Sequence, residues 1–458
     1  MKNIHAIGII LITFFVQIIL MPAIARSENV GISPQLLEQM RSAARYTGPE
    51  KAIYNSLINN EIKKLALDQE KVNHHLDLFN VTVKTKGITD QNSSGRCWLF
   101  ASLNLLRPMM IEKYKLNKFE FSQNYLAFHD KLEKANKFLE AMILMRDRDI
   151  YDRELQDFLR SPFGDGGWWF YTVELIEKYG CVPKYAMPET KSSSKTGMMN
   201  SVISRKLRKT ASEFRRMADR GATEDELRAH KEQVMVEIYR MLTLNLGIPP
   251  TEFTWRYEDR DTVVSKPKLY TPREFYDEVV DIDLRDYVTL ADHPGVEKYK
   301  NYYHRYSRNM FDKSDEAYLN LPIDSLKSYA LQTLLNGEPV VFACDVGEDS
   351  DNDHGIFLPG IYDYETIYGV DLEMDKTERF KFFESSPNHM MLITACDTAD
   401  GGVVRWKVEN SWGTDRGDNG YWTMYDDWFN EHVFEIIVHE DLLSSDIRKM
   451  LRSEPIEL

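Results

Sequence analysis

Leu36, Leu37, Met40 and Ala44, then Ile53, Leu57, Ile58, Ile62 and Leu65, recur at helical intervals, so residues 33–78 are expected to be a helical lead-in. From Trp98 onward the apolar positions crowd together. Leu99, Ala101, Leu103, Leu105 and Leu106 predict a buried helix that begins near Cys97. The stretch Gly164-Asp165-Gly166-Gly167-Trp168-Trp169 signals a turn, with an amphipathic segment over 172–178 and a stop at Tyr179 to Pro183. Between residues 188 and 321 the pattern becomes charged and helix-forming, with long stretches at 206–220 and 224–244. The period then changes. Residues 339–346, 380–384, 390–396, 403–409, 420–424 and 434–439 read as strands separated by Gly, Asp and Asn turns, suited to an antiparallel sheet or half-barrel.

The N-terminus carries Lys2, an apolar run from Ala6 to Leu20 and the small residues Ala23 and Ala25. A charged start, an apolar core and a small-x-small site predict a cleaved export signal over residues 1–25, and with it a periplasmic or secreted location. No other stretch is long enough to cross a membrane, so no membrane association is expected after cleavage. A chain of 458 residues with 43% hydrophobic content can bury a sizeable core. Its formal net charge of −15 argues against wholesale nucleic-acid binding. A basic helix face between Lys191 and Arg220 is the one feature that could support it. With four cysteines, Cys97, Cys181, Cys344 and Cys396, no disulfide framework is expected, and if Cys97 is reactive at most one bridge can form among the other three.

The candidate chemistry lies in two short stretches. Gln91-Asn92-Ser93-Ser94-Gly95-Arg96-Cys97-Trp98 stands early, and Asn388-His389-Met390 and Glu409-Asn410-Ser411-Trp412-Gly413 stand late. A thiol titrates near ~8.5 when free and needs an imidazole beside it to act as a thiolate at neutral pH. The imidazole in turn needs a group to hold its ring, and Asn410 can accept from it. A helix N-terminus at Cys97 favours the thiolate through the helix dipole. Gln91 can place an amide where an oxyanion develops. Gly166 and Gly167, lacking side chains, can lie close to an extended substrate. Trp98 and Asn388 flank the presumptive nucleophile and base and are expected at the substrate-binding surface.

Cys97, His389 and Asn410 in this order resemble the papain-like cysteine peptidases. The resemblance is nearest to the bleomycin hydrolase and aminopeptidase C branch. It rests on residues 91–100, on Phe119 to Leu126, on Asp165-Gly166-Gly167, on Leu175 to Gly180, on Cys344 to Gly347 and on Val408 to Gly413, in order from about residue 35 to the end. His389 follows Cys97 by 292 residues, where papains have ~130 to 150, which leaves room for an inserted module. The resemblance implies an α+β, two-lobe fold: a helical lobe over 26–187 with the nucleophile, an inserted helical domain over 188–321, and a β-barrel lobe over 322–458 with His389 and Asn410. It implies hydrolysis of peptide bonds through a Cys97 acyl-enzyme, with no cofactor and no metal. It also implies homohexamers with inward-facing sites, although relatives are mainly cytoplasmic.

Two departures stand out. Papain-type enzymes usually join the nucleophile loop to the glycine turn by a disulfide, but Ser94 and Gly164 occupy those places here. In the resembled branch a C-terminal arm carries its carboxylate into the cleft and makes the enzyme an aminopeptidase, whereas this sequence ends at Glu454-Pro455-Ile456-Glu457-Leu458. An endopeptidase or oligopeptidase is therefore the competing expectation. A scaffold or nucleic-acid-binding homologue would normally have lost one of the four site residues, and a transglutaminase-like enzyme would carry Asp in place of Asn410. Asp349, Asp351 and Asp353 mimic the start of a calcium loop, but His354 and Gly360 stand where its glycine and closing Glu belong.

Overall fold

The computed structural model describes residues 31–458, so the export signal expected over residues 1–25 lies outside the described residues. Residues up to Leu65 group as one unit and Ala66–Leu458 as a second. The first unit holds helices Pro34–Ala43 and Gly48–Asn59. Ser33 caps the first by accepting from the Leu36 N–H, and Thr47 with Glu50 forms a capping box on the second, each satisfying N–H groups that have no intrahelical partner.

In the second unit the chain at Cys97 turns into helix Cys97–Lys113. This helix is apolar on nearly every side, and Leu99, Leu103 and Leu106 are fully buried, each worth about 1.5–3 kcal/mol relative to exposure. Only burial on all sides satisfies such a sequence. Helices Gln123–Leu144, Trp169–Tyr179, Gly197–Asp219 and Glu224–Leu246 supply the surrounding layer and share one apolar core with it.

That core closes against one face of a 12-stranded sheet. From one edge the strands run Ile456–Glu457, Lys300–Tyr303, Ala317–Asn320, Tyr287–Ala291, Val433–His439, Val340–Cys344, His389–Ala399, Gly402–Glu409, Tyr421–Tyr425, Ile356–Phe357 and Ser350–Asp351, and Val81–Thr82 pairs with His389–Ala399 off this path. Most pairings are antiparallel. The central strand is buried on both faces: Met390 and Leu392 enter the helical core, while Met391 and Ile393 enter a second core shared with helix Ile323–Leu335. Two-sided burial is why it reads as a run of apolar residues rather than an alternation.

Two expected elements differ. Residues 380–384, expected as a strand, instead overlap the end of helix Lys376–Lys381, because Asp375 and Glu378 form a capping box that starts a helix there. The helical character expected over residues 188–321 runs only to Leu246. Beyond it come a two-stranded hairpin, a π-helical turn at Phe275–Val280, and three strands that extend the main sheet. The expected basic face is also largely engaged: Lys206 pairs with Glu237, Lys209 with Glu213, and Arg208 donates to the Leu159 and Arg160 carbonyls.

Candidate active site

Cys97 is the first residue of its helix, and Arg96 at the N-cap supplies no side-chain cap. The first-turn N–H groups are thus left for the cleft. Arg96 points inward instead: its guanidinium meets Glu189 in a two-point ion pair at 2.9 and 3.2 Å and donates to Ser94 Oγ at 3.0 Å. This buried pair fixes the loop that enters the helix.

His389 opens its strand one position before Met390, whose backbone hydrogen-bonds to the Cys97 sulfur. Cys97 and the start of the His389 strand, far apart in the chain, are thereby brought together. His389 Nε2 lies 2.9 Å from Asn410 Oδ1. An amide oxygen only accepts, so Nε2 carries the proton and Nδ1 is the free nitrogen of the ring. Trp412 lies over the imidazole with ring centroids 4.8 Å apart and shields that bond from water. Asn410 Oδ1 also accepts from the Ser411 N–H at 2.7 Å. Burial pushes the Cys97 thiol up, opposed by hydrogen bonds from the backbone of Met390, Trp98 and Cys97, and pushes the His389 imidazole down to about 4, opposed by Asn410. Both shifts disfavour charge on the separate groups. A thiolate and an imidazolium formed together would offset that cost by attracting each other.

Gln91 is buried at the mouth of the loop. Its Nε2 donates to the Ser94 carbonyl at 2.5 Å and its Oε1 accepts from Ser411 Oγ at 2.7 Å. The second amide hydrogen has no acceptor among the described residues. The Gln91 and Asn410 segments are stitched together: Gln91 N–H donates to the Ser411 carbonyl at 2.8 Å and Gly413 N–H to the Thr89 carbonyl at 3.1 Å. Deeper down, Glu409 accepts from Arg107 at 2.9 Å and from Asn104 at 3.2 Å, tying the strand that ends at Asn410 to the Cys97 helix. With one register lock at each end, Asn410 and Cys97 cannot drift apart.

The glycine turn sits opposite. Gly166 is exposed with open space where a Cβ would stand, as a backbone rail for substrate requires. Gly167 has a different reason to be glycine: a Cβ there would stand 2.5 Å from the Trp98 ring. Trp98, expected at the substrate surface, is fully buried behind this turn and donates Nε1–H to the Asp165 carbonyl at 2.8 Å. Its fused ring system is too large and apolar to be left on the cleft wall when the turn can cover it. Asn388 is exposed, and its side chain braces the neighbouring loop by donating to Asp345 at 2.6 Å and accepting from the Val346 N–H at 3.0 Å.

The residue that sequence reading missed is Asp165. Its carboxylate accepts from the Gly95 N–H at 3.0 Å, Thr196 Oγ1 at 2.5 Å, Asn200 Nδ2 at 2.8 Å and Lys131 Nζ at 2.5 Å. Lys131 beside it and these donors hold the carboxyl well below the usual carboxylate range. Nucleophile loop and glycine turn are therefore joined by a buried polar hub where a disulfide was missed in the sequence. All four cysteines are free, and Cys181, Cys344 and Cys396 are buried. A signal did exist: Lys131 lies in a helix among residues that are otherwise core, and a buried lysine needs an anion.

The family model of the Peptidase C1-like family matches residues 31–458. The chain is 34% identical to aminopeptidase C of Lactobacillus helveticus, covering 91% of this chain and 92% of that protein. It is 38% identical to human bleomycin hydrolase, covering 84% and 87%. The crystal structure of PepW from a lactobacillus superposes with a TM-score of 0.89 at 33% identity, covering 94% of this chain and 97% of that one.

Proposed function

The chain belongs to the Peptidase C1-like family of papain-type cysteine peptidases, and on that premise we propose that it is an aminopeptidase of the bleomycin hydrolase type acting through Cys97. The observation that supports the assignment of roles is the hydrogen bond of 2.9 Å from His389 to Asn410, which leaves Nδ1 as the free nitrogen of the ring, on a strand whose next residue, Met390, hydrogen-bonds through its backbone to Cys97. His389 takes the thiol proton, and the thiolate attacks the carbonyl carbon of the N-terminal residue. The oxyanion that forms accepts from the Cys97 N–H and the Gln91 amide. Its collapse expels the rest of the peptide as an amine, which receives the proton from His389, and leaves a thioester. Water, deprotonated by His389, then attacks the thioester carbonyl. The free amino acid leaves, and the proton returns to sulfur.

The relatives' names favour removal of single N-terminal residues. The test is mass-spectrometric mapping of products from one peptide in free-amino and N-acetylated form, with wild type and Cys97→Ala. Stepwise loss from the free peptide only, absent in Cys97→Ala, is the expected result. Internal cuts in both forms would make the enzyme an endopeptidase, and turnover by Cys97→Ala would remove the assignment altogether. Assembly as a homohexamer and export belong to the same proposal. Light scattering and the mature N-terminus check them.

A further inference from the structure

Part of the basic stretch between Lys191 and Arg220 has no carboxylate to meet it. Lys206 and Lys209 are ion-paired, whereas among the described residues no ion pair reaches Arg208, Arg215 or Arg216. The three stand on one stripe of helix Gly197–Asp219 and rim a cavity of about 360 Å³, where that helix meets the end of helix Gln123–Leu144 and helix Arg153–Arg160. The floor is apolar. Met142, Met145, Leu155 and Ala211 line it, none more than 4% exposed. Asn200, near the start of the same helix, belongs to the Asp165 hub. At ~1.5 Å per residue Arg208 and Arg216 lie about 12 and 24 Å further along the axis, so the cavity stands apart from the reacting atoms.

Each arginine spends part of its guanidinium on a neutral acceptor. Arg208 donates Nε and Nη2 to the Leu159 and Arg160 carbonyls at 2.7 and 2.8 Å, closing the end of helix Arg153–Arg160. Arg216 Nη1 donates to Ser212 Oγ at 2.7 Å. Arg215 Nη2 donates to the Arg148 carbonyl at 2.8 Å, while its Nη1 is buried and has no acceptor among the described residues. Neutral acceptors fix these side chains without cancelling their charge. A buried guanidinium nitrogen left without an acceptor, above an apolar floor, asks for an anion from outside.

We propose that this cavity binds a carboxylate carried on an apolar chain, with the head against Arg215 and the rim arginines and the chain on the methionine floor. An uncharged apolar ligand would leave Arg215 Nη1 unmet. A nucleic acid would need a run of free cations, and the neighbouring lysines are engaged. The planar edge of a guanidinium fits a carboxylate side-on, and one buried nitrogen is answered by a singly charged head without burying the second charge of a phosphate. The volume lies near the lower end of the range of about 300–1,000 Å³ for small-molecule sites, which suits a chain of medium length. The flexible methionines can follow its shape.

The experiment titrates decanoate, 1-decanol and decyl phosphate into the full chain by calorimetry, with wild type, Arg215→Gln, Ala211→Leu and Lys209→Gln. Arg215→Gln removes the charge, Ala211→Leu fills the cavity without touching an arginine, and Lys209→Gln is the control on the same helix. Melting temperatures and light scattering of the unliganded variants report folding and assembly. The expected result is decanoate binding to wild type and Lys209→Gln alike, about 10- to 100-fold weaker in Arg215→Gln, with decanol weak in both. Ala211→Leu is expected to bind neither. Equal affinity for decanoate and decanol, no decanoate binding to wild type, or the same loss in Lys209→Gln overturns the proposal. Tighter binding of decyl phosphate than of decanoate overturns the choice of a carboxylate. Failure of decanoate to bind wild type together with a changed oligomeric state in Arg215→Gln would assign the face to a contact between copies instead.

Discussion

Replacing Asp165 by Ala removes the acceptor of four donors, one of them a lysine only 1% exposed. Breaking a buried pair by deleting one partner leaves an uncompensated charge and costs about 3–5 kcal/mol. Asn200 Oδ1, 2.9 Å from Lys131 Nζ, remains and keeps the cost toward the lower end. Spread over the unit Ala66–Leu458 at ~2.1 cal/mol/K per residue, about 3 kcal/mol lowers the melting temperature by about 4 °C. The functional effect has a different origin. The Gly95 N–H loses its anchor two residues before Cys97, so the loop that sets the thiol is freed on the side facing the glycine turn. A drop in kcat/KM of about 10-fold or more is expected, with slower alkylation of Cys97. The double variant Lys131→Met, Asp165→Leu separates the two effects, since it removes the orphaned charge but not the loss of the loop anchor. Calorimetry is expected to show most of the stability restored while activity stays low. Wild-type kcat/KM and alkylation rate in Asp165→Ala, or activity recovering together with stability in the double variant, would refute the argument that the hub positions the nucleophile.

Gln91→Ala removes one oxyanion donor and is expected to lower kcat about 10²- to 10³-fold with little change in KM, measured on the free peptide. Asn410→Ala frees the imidazole ring and is expected to lower kcat about 10²-fold, with the pH profile of Cys97 alkylation altered in the same variant. Gly167→Ala forces a methyl against the Trp98 ring and is expected to cost about 1–3 kcal/mol, read by denaturant unfolding. The Asp165 carboxyl is depressed in the folded state. Its contribution is therefore fully present above the ordinary carboxylate range near ~3.9 and is lost as pH falls below it, so the melting temperature of Asp165→Asn should fall less steeply below about pH 4 than that of wild type.

The residues proposed to react stood out in the sequence because their chemistry restricts residue type: few sequences need Gln, Cys, His and Asn in that order beside a helix start and two strand ends. Helix Cys97–Lys113 and strand His389–Ala399 were legible because burial on all sides leaves an apolar run that nothing else explains. Trp98 was misplaced because adjacency in the chain does not say which way a first-turn side chain faces, and the Gly167 turn covers it. The stretch 380–384 was misread because alternating aromatic and charged residues fit a strand, while the capping box that decides the matter begins at Asp375. Asp165 escaped because its partners Lys131, Thr196 and Asn200 stand more than thirty residues away on either side, and only packing brings them together. The strands within 287–320 escaped because they are short and complete an edge that other segments create.

Alkylation of the native enzyme with limiting iodoacetamide, followed by peptide mapping and residual-activity assay, tests the central claim most directly. All four cysteines are free, and three are buried. Label confined to Cys97, with activity lost in proportion to it, is the predicted result. Activity that survives full modification of Cys97, or that tracks label on Cys181, Cys344 or Cys396, would contradict the assignment of Cys97 as the nucleophile.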